Sequence, residues 1–191
     1  YDRAIEINPN DAMLFTESDK IYESANAALD ARLKRLERHL KTVMKHDDAV
    51  MRLLSLYNVM GKYDKAIQIM DKRHFHLWEG GGQIHDIYVD SHLLKGLSLL
   101  AKKSYQKAIG EFDLANQYPA NLEVAPSHRG GYEVKAYYLT GVAYEGLNEK
   151  AKAQEFFEKA ASAKYPGGLS DLAYYWGKAL EKLGKTEEAQ A

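Results

Sequence analysis

The chain has 191 residues, 46% hydrophobic and 28% charged, with 26 basic against 27 acidic side chains for a net charge of −1, and no cysteine. That balance supplies no global field for nucleic acid or an acidic membrane, and the lack of thiols excludes disulfides, thiolate metal sites and cysteine catalysis. No run approaches the ~18 consecutive apolar residues of a membrane span.

Residues 1–9 carry Tyr1, Ala4 and Pro9 at the spacing of a short helix followed by a stop. Asn10 or Asp11 can cap the next helix, which bears Leu14, Phe15, Ile21 and Tyr22 and softens over residues 24–26. Residues 28–45 read as one further helix with Leu29, Leu33, Leu36 and Leu40 as its apolar stripe. Over 30–45 it holds six Lys or Arg against two acids; without interleaved aromatics for base stacking, this reads as a solvated outer face.

Asp47 and Asp48 open a stronger pattern, with Leu53, Leu54 and Tyr57 on one helix, Gly61 at a left-handed stop and a second helix ending near Lys72. The stretch RHFHLWEGGGQIHD that follows has no helical period. Helix resumes by about Ile87, and Leu93, Gly96, Leu99, Tyr105, Ala108, Phe112 and Ala115 form a second pair. A second interruption, YPANLEVAPSHRGGYE, precedes residues 134–165. There Tyr137, Gly141 and Tyr144, a break at Leu147-Asn148, and then Ala153, Phe157 and Ala160 give the clearest helix pair. A final copy begins near Leu169 with Trp176, Gly177, Leu180 and Gly184.

Small residues at a helix crossing flanked by aromatics in this order resemble the tetratricopeptide repeat, or TPR. The resemblance implies an all-α, right-handed superhelical solenoid of antiparallel helix pairs. One domain over 1–191 is expected, with repeats at 11–45 (diverged), 47–74, 87–119, 133–165 and 169–191, residues 1–9 closing an earlier repeat. The chain thus reads as a fragment of a longer protein. Equivalent alanines Ala66, Ala108, Ala153 and Ala189 stand farther apart than the ~34 residues of a plain repeat. The excess of the first two intervals falls in the two interruptions, which a stacked solenoid brings out on one edge as neighbours.

Those interruptions hold or flank His74, His76, His85 and His128, four of the seven histidines, together with Trp78, Glu79, Asp86 and Arg129. In an extended strand, His74 and His76 share one side of the backbone. Two readings follow: a ligand or metal site of imidazoles and carboxylate, or aromatic plugs with histidines serving loop carbonyls. With no cysteine and no tight ligand spacing, the second is preferred. No metal and no cofactor is therefore expected, and His74, His76, Trp78, Glu79, His85, His128 and Arg129 are assigned to a loop-edge interaction surface.

RHFHLWEGG with YPANLEV and SHRGG also look like loops in the TPR tail of large bacterial proteins that carry an uncharacterised β-rich domain upstream. That resemblance implies docking on a neighbouring domain and transfers no catalytic role. The TPR resemblance further implies a concave groove at Met51, Ser55, Asn58, Leu93, Leu97, Tyr138, Val142, Tyr174 and Lys178. Met51 and Ser55 replace two members of the Lys/Asn/Arg clamp with which TPR co-chaperones grip acidic tails. The leading function is a non-catalytic scaffold for a protein, a peptide or an upstream domain of the same polypeptide, without nucleic acid. The runner-up is an accessory domain completing a carbohydrate-related bacterial enzyme, His76, Trp78, Glu79, His128 and Arg129 lining the shared site. The cysteine-free composition favours the cytoplasm, and the unread start leaves a periplasmic location open.

Overall fold

The computed structural model describes residues 1–76, 83–125, 131–163 and 170–190, whose regular elements are all helical. They divide into two compact units, residues 1–88 with 120–123 and residues 89–119 with 124–191.

Unit 1 begins with α1 (Asp2–Ile7), α2 (Ala12–Ser24), α3 (Leu29–Arg38) and α4 (Leu40–Val43). It continues with α5 (Asp47–Val59), α6 (Tyr63–Lys72) and the first residues of α7 (Gln83–Ala101), and includes a 3-10 turn at Ala120–Leu122. Of the two capping candidates, Asp11 serves: its carboxylate accepts the Met13 N–H at 3.0 Å, satisfying one of the four orphan donors of α2. Helix α5 packs on α2, α3 and α6 around the fully buried Phe15, Leu33, Leu36, Val50, Leu53 and Leu54. Gly61 takes φ +69 at the stop after α5, a conformation that costs a side chain its Cβ clearance.

Three sequence expectations need correction here. The helix of 28–45 is broken at His39 (φ −110, ψ 27), whose ring lies 4.9 Å from that of Phe15, while the Thr42 hydroxyl donates to the Pro9 carbonyl at 3.0 Å. These tertiary contacts outweigh the local period. The leucine stripe is correspondingly half right, with Leu33 and Leu36 buried but Leu29, Leu40 and, on α2, Ile21 exposed. Helix α7 starts at Gln83, earlier than Ile87, because Ile84 and His85 are buried anchors of its first turn.

The basic face of α3 is likewise not wholly solvated. Arg32 is 7% exposed and donates through Nε and Nη2 to the two oxygens of Asp19, both at 2.9 Å. Arg52 Nε on α5 donates to the same carboxylate at 2.7 Å, and Glu23 lies within 3.1 Å of Arg32 and 2.8 Å of Arg52. Burial pushes the Asp19 pKa up, but hydrogen bonds from Arg32 and then Arg52 outweigh it and hold the carboxyl below its usual value.

Unit 2 takes the remainder of α7, then α8 (Tyr105–Ala115), α9 (Tyr132–Gly146), α10 (Lys150–Ser162), α11 (Asp171–Lys182) and α12 (Thr186–Gln190). Helix α9 packs on α8, α10 and α11. The α9–α10 and α7–α8 pairs each seat a ring in a glycine notch. A Cβ on Gly141 would lie 2.6 Å from the Phe157 ring, and one on Gly96 would collide with Phe112. The two glycines therefore set how closely paired helices approach. The Trp176 indole donates to the Ala161 carbonyl at 2.9 Å, tying α11 to α10.

Candidate functional site

Two surfaces carry recognisable chemistry, one in each unit. In unit 1 the chain leaves α6 in an extended conformation at Arg73 (φ −109, ψ 137). Phe75 turns inward and is 2% exposed; its N–H donates to the Asn121 carbonyl at 2.8 Å, while the Asn121 side-chain amide donates to the carbonyls of Met70 (2.7 Å) and Arg73 (2.8 Å). On the other side the His76 N–H donates to Asp47 at 3.0 Å, and Arg73 donates to Asp47 at 2.8 Å and to the Met44 carbonyl at 2.8 Å.

With Phe75 inward, the alternation of an extended chain leaves His74 and His76 together outside, their ring centroids 4.9 Å apart. Glu123 meets them from beyond the 3-10 turn: its Oε1 is 2.6 Å from His74 Nε2 and 3.8 Å from His76 Nδ1. It does so at φ +52, an uncommon region for a residue with a side chain. The two imidazoles border a hollow of about 720 Å³ lined also by Met44, Ile69, Lys72 and Arg73.

In unit 2, α9 and α11 present an aromatic face. Tyr138 lies 5.7 Å from Phe157 and 5.6 Å from Tyr175, centroid to centroid, and Tyr175 meets Tyr174 edge-on at 5.3 Å. Lysines border the rings: Lys135 sits 5.3 Å from Tyr175, Lys178 5.9 Å from Tyr174 and Lys182 5.6 Å from Phe157. Tyr174 is 59% exposed. Burial pushes the Tyr138 hydroxyl up, only partly offset by Lys182, so at neutral pH it remains a protonated donor. The arrangement offers flat apolar contact, hydroxyl donors and positive charge on one surface.

The sequence-named residues separate accordingly. His74 and His76 converge, whereas His85 is buried beside Tyr88 with ring centroids 6.1 Å apart. Trp78, Glu79, His128 and Arg129 lie outside the described residues. Of the groove positions, Asn58 is buried and donates to the Ile87 carbonyl at 3.1 Å, and Leu93 is buried, so neither offers a surface. Met51, Ser55 and Leu97 are half-buried. On α9 and α11, Tyr174 is exposed, and Tyr138, Val142 and Lys178 are half-buried as well. Sequence reading missed Asn121 and Glu123, although they stand in YPANLEV, and missed Lys135, Tyr175 and Lys182; on α11, Tyr175 is adjacent to Tyr174, and Lys182 follows Lys178 at helical spacing.

Residues 134–165 match the family model described as tetratricopeptide repeat. Similar solved structures include a crystal structure of MamA protein, 20% identical, covering 93% of this chain and 85% of that one with a TM-score of 0.50. A MamA double mutant is 18% identical over 94% of this chain and 88% of that one, also at 0.50. MamA from Desulfovibrio magneticus is 17% identical over 94% and 89%, at 0.49. The likeness to the first two shows the fold, a TPR-like helical solenoid.

Proposed function

We propose that this chain, a TPR-like solenoid whose residues 134–165 are a tetratricopeptide repeat, is a protein-interaction scaffold that grips an amphipathic segment of its partner on the α9–α11 face. One observation carries the reading: Tyr174 is 59% exposed within a continuous ring network bordered by Lys135, Lys178 and Lys182. Exposed aromatics of this kind mark interaction sites, since a single tyrosine offers large contact area at low entropic cost. Each lysine already faces a carboxylate of its own chain, Asp171, Glu181 or Glu145, at 3.2, 2.7 and 2.6 Å. The pairs of Lys178 and Lys182 are exposed and weak, so a partner carboxylate can exchange for them at little cost, whereas Lys135 is half-buried. The occupant is thus a helical or extended peptide with aromatic or aliphatic anchors and acidic flanks.

Selection of displayed random peptides on the intact chain tests this. Recovered sequences should combine apolar anchors with Asp or Glu, and Tyr174→Ala should weaken them by about 1–2 kcal/mol, roughly 5–30-fold in Kd by fluorescence anisotropy. Lys178→Glu should weaken acidic peptides and make binding less salt-dependent. Peptides that bind both variants as tightly as the parent would place recognition on another face.

A further inference from the structure

We infer that His74, His76 and Glu123 form a binding site for a single zinc ion on unit 1, contrary to the expectation from sequence that no metal is held. One nitrogen from each imidazole and one carboxylate oxygen all lie within 4.8 Å of one another. Ligands of a tetrahedral zinc at ~2.0–2.2 Å stand about 3.4 Å apart. The present separations of 2.6 Å and 3.8 Å about Glu123 Oε1 bracket that value. Rotamer adjustments of well under a residue's length close the set, and exposure leaves the fourth position to water.

The backbone is already committed. Phe75 is buried between the two histidines, Asn121 fixes the segment from one side and Asp47 from the other. Because Asp47 is occupied by Arg73 and the His76 N–H, it supports the site without competing to ligate. A zinc-bound His74 would coordinate through the Nε2 lone pair with its ring proton on Nδ1, any proton displaced from the site passing to solvent. Two imidazoles and one carboxylate suit zinc and exclude the all-oxygen preference of calcium and magnesium. The chemical consequence is a clasp: zinc would join residues 49 positions apart in sequence, fastening the extended segment after α6 to the 3-10 turn.

The test is calorimetric titration of zinc chloride into the tag-free, chelator-treated full chain, with hydrogen exchange in parallel. One equivalent should bind, and amides of residues 73–76 and 120–123 should gain protection. Losing a first-sphere ligand should cost no less than the ~10–100-fold typical of outer-sphere changes. Glu123→Gln and the His74→Asn/His76→Asn double variant should therefore both bind at least tenfold more weakly, while Glu155→Gln on α10 binds as the parent does. Because all three ligands are exposed, these variants should melt as the metal-free parent does. Absence of binding at millimolar zinc, or equal binding by the parent and the double variant, would overturn the assignment.

Discussion

Asp19→Ala is expected to destabilise unit 1 by roughly 3–5 kcal/mol, the cost of removing one partner from a buried ion pair. Arg32 is 7% exposed and gives two of its N–H groups to Asp19, so truncation strands a guanidinium that water cannot reach. Glu23 is no substitute: its side chain is 55% exposed, and solvent screens its attraction. Urea denaturation, with hydrogen exchange on α2, α3 and α5 to localise the loss, measures the effect. A change below 1 kcal/mol would mean that Arg32 finds another acceptor or escapes to solvent.

The same network sets an acid limit. The folded-state pKa of Asp19 lies below its ordinary value of 3.8, so its contribution is fully present above that pH and disappears as pH falls through the lower folded value. The stability gap between parent and Asp19→Ala should be constant at neutral pH and narrow below 3.8. A gap independent of pH in that range would show the aspartate acting through packing alone.

Phe157→Ala should cost unit 2 about 3–5 kcal/mol, and it should reverse the sign of a second substitution. In the parent, a Cβ at Gly141 meets the Phe157 ring at 2.6 and 2.7 Å, and overpacking of that kind costs ~1–3 kcal/mol. With the ring removed, Gly141→Ala should instead gain about 1 kcal/mol, the ordinary advantage of alanine over glycine inside a helix. The four-variant cycle by urea denaturation reads the coupling directly. Stabilisation by Gly141→Ala in both backgrounds would show that the glycine is incidental to the crossing.

That crossing was the part of the molecule most legible from sequence, because Gly141, Ala153, Phe157 and Ala160 lie on two adjacent helices and their spacing is itself the packing rule. The shared side of His74 and His76 was legible for the same reason, since alternation is a local property of an extended chain. Glu123 was not, because its approach depends on a 3-10 turn and an Asn121 clip that join stretches far apart in the chain. Nor was the Asp19 cluster: Asp19, Arg32 and Arg52 sit on three helices, and each alone resembles the exposed charges around it. The break at His39 was hidden in turn by an unbroken leucine period on either side.

Unit 1 is also not finished when synthesis has passed residue 88. Met70 and Arg73 await the Asn121 amide, Phe75 awaits the Asn121 carbonyl, and the whole of Val89–Pro119 must be synthesised before that residue emerges. At ~5–20 residues per second the interval is about two to six seconds, long against the folding time of small helical units. During that window the Phe75 N–H and the carbonyls of Met70 and Arg73 lack the partners that Asn121 supplies in the finished unit, so the extended segment after α6 is the last part of unit 1 to be fastened.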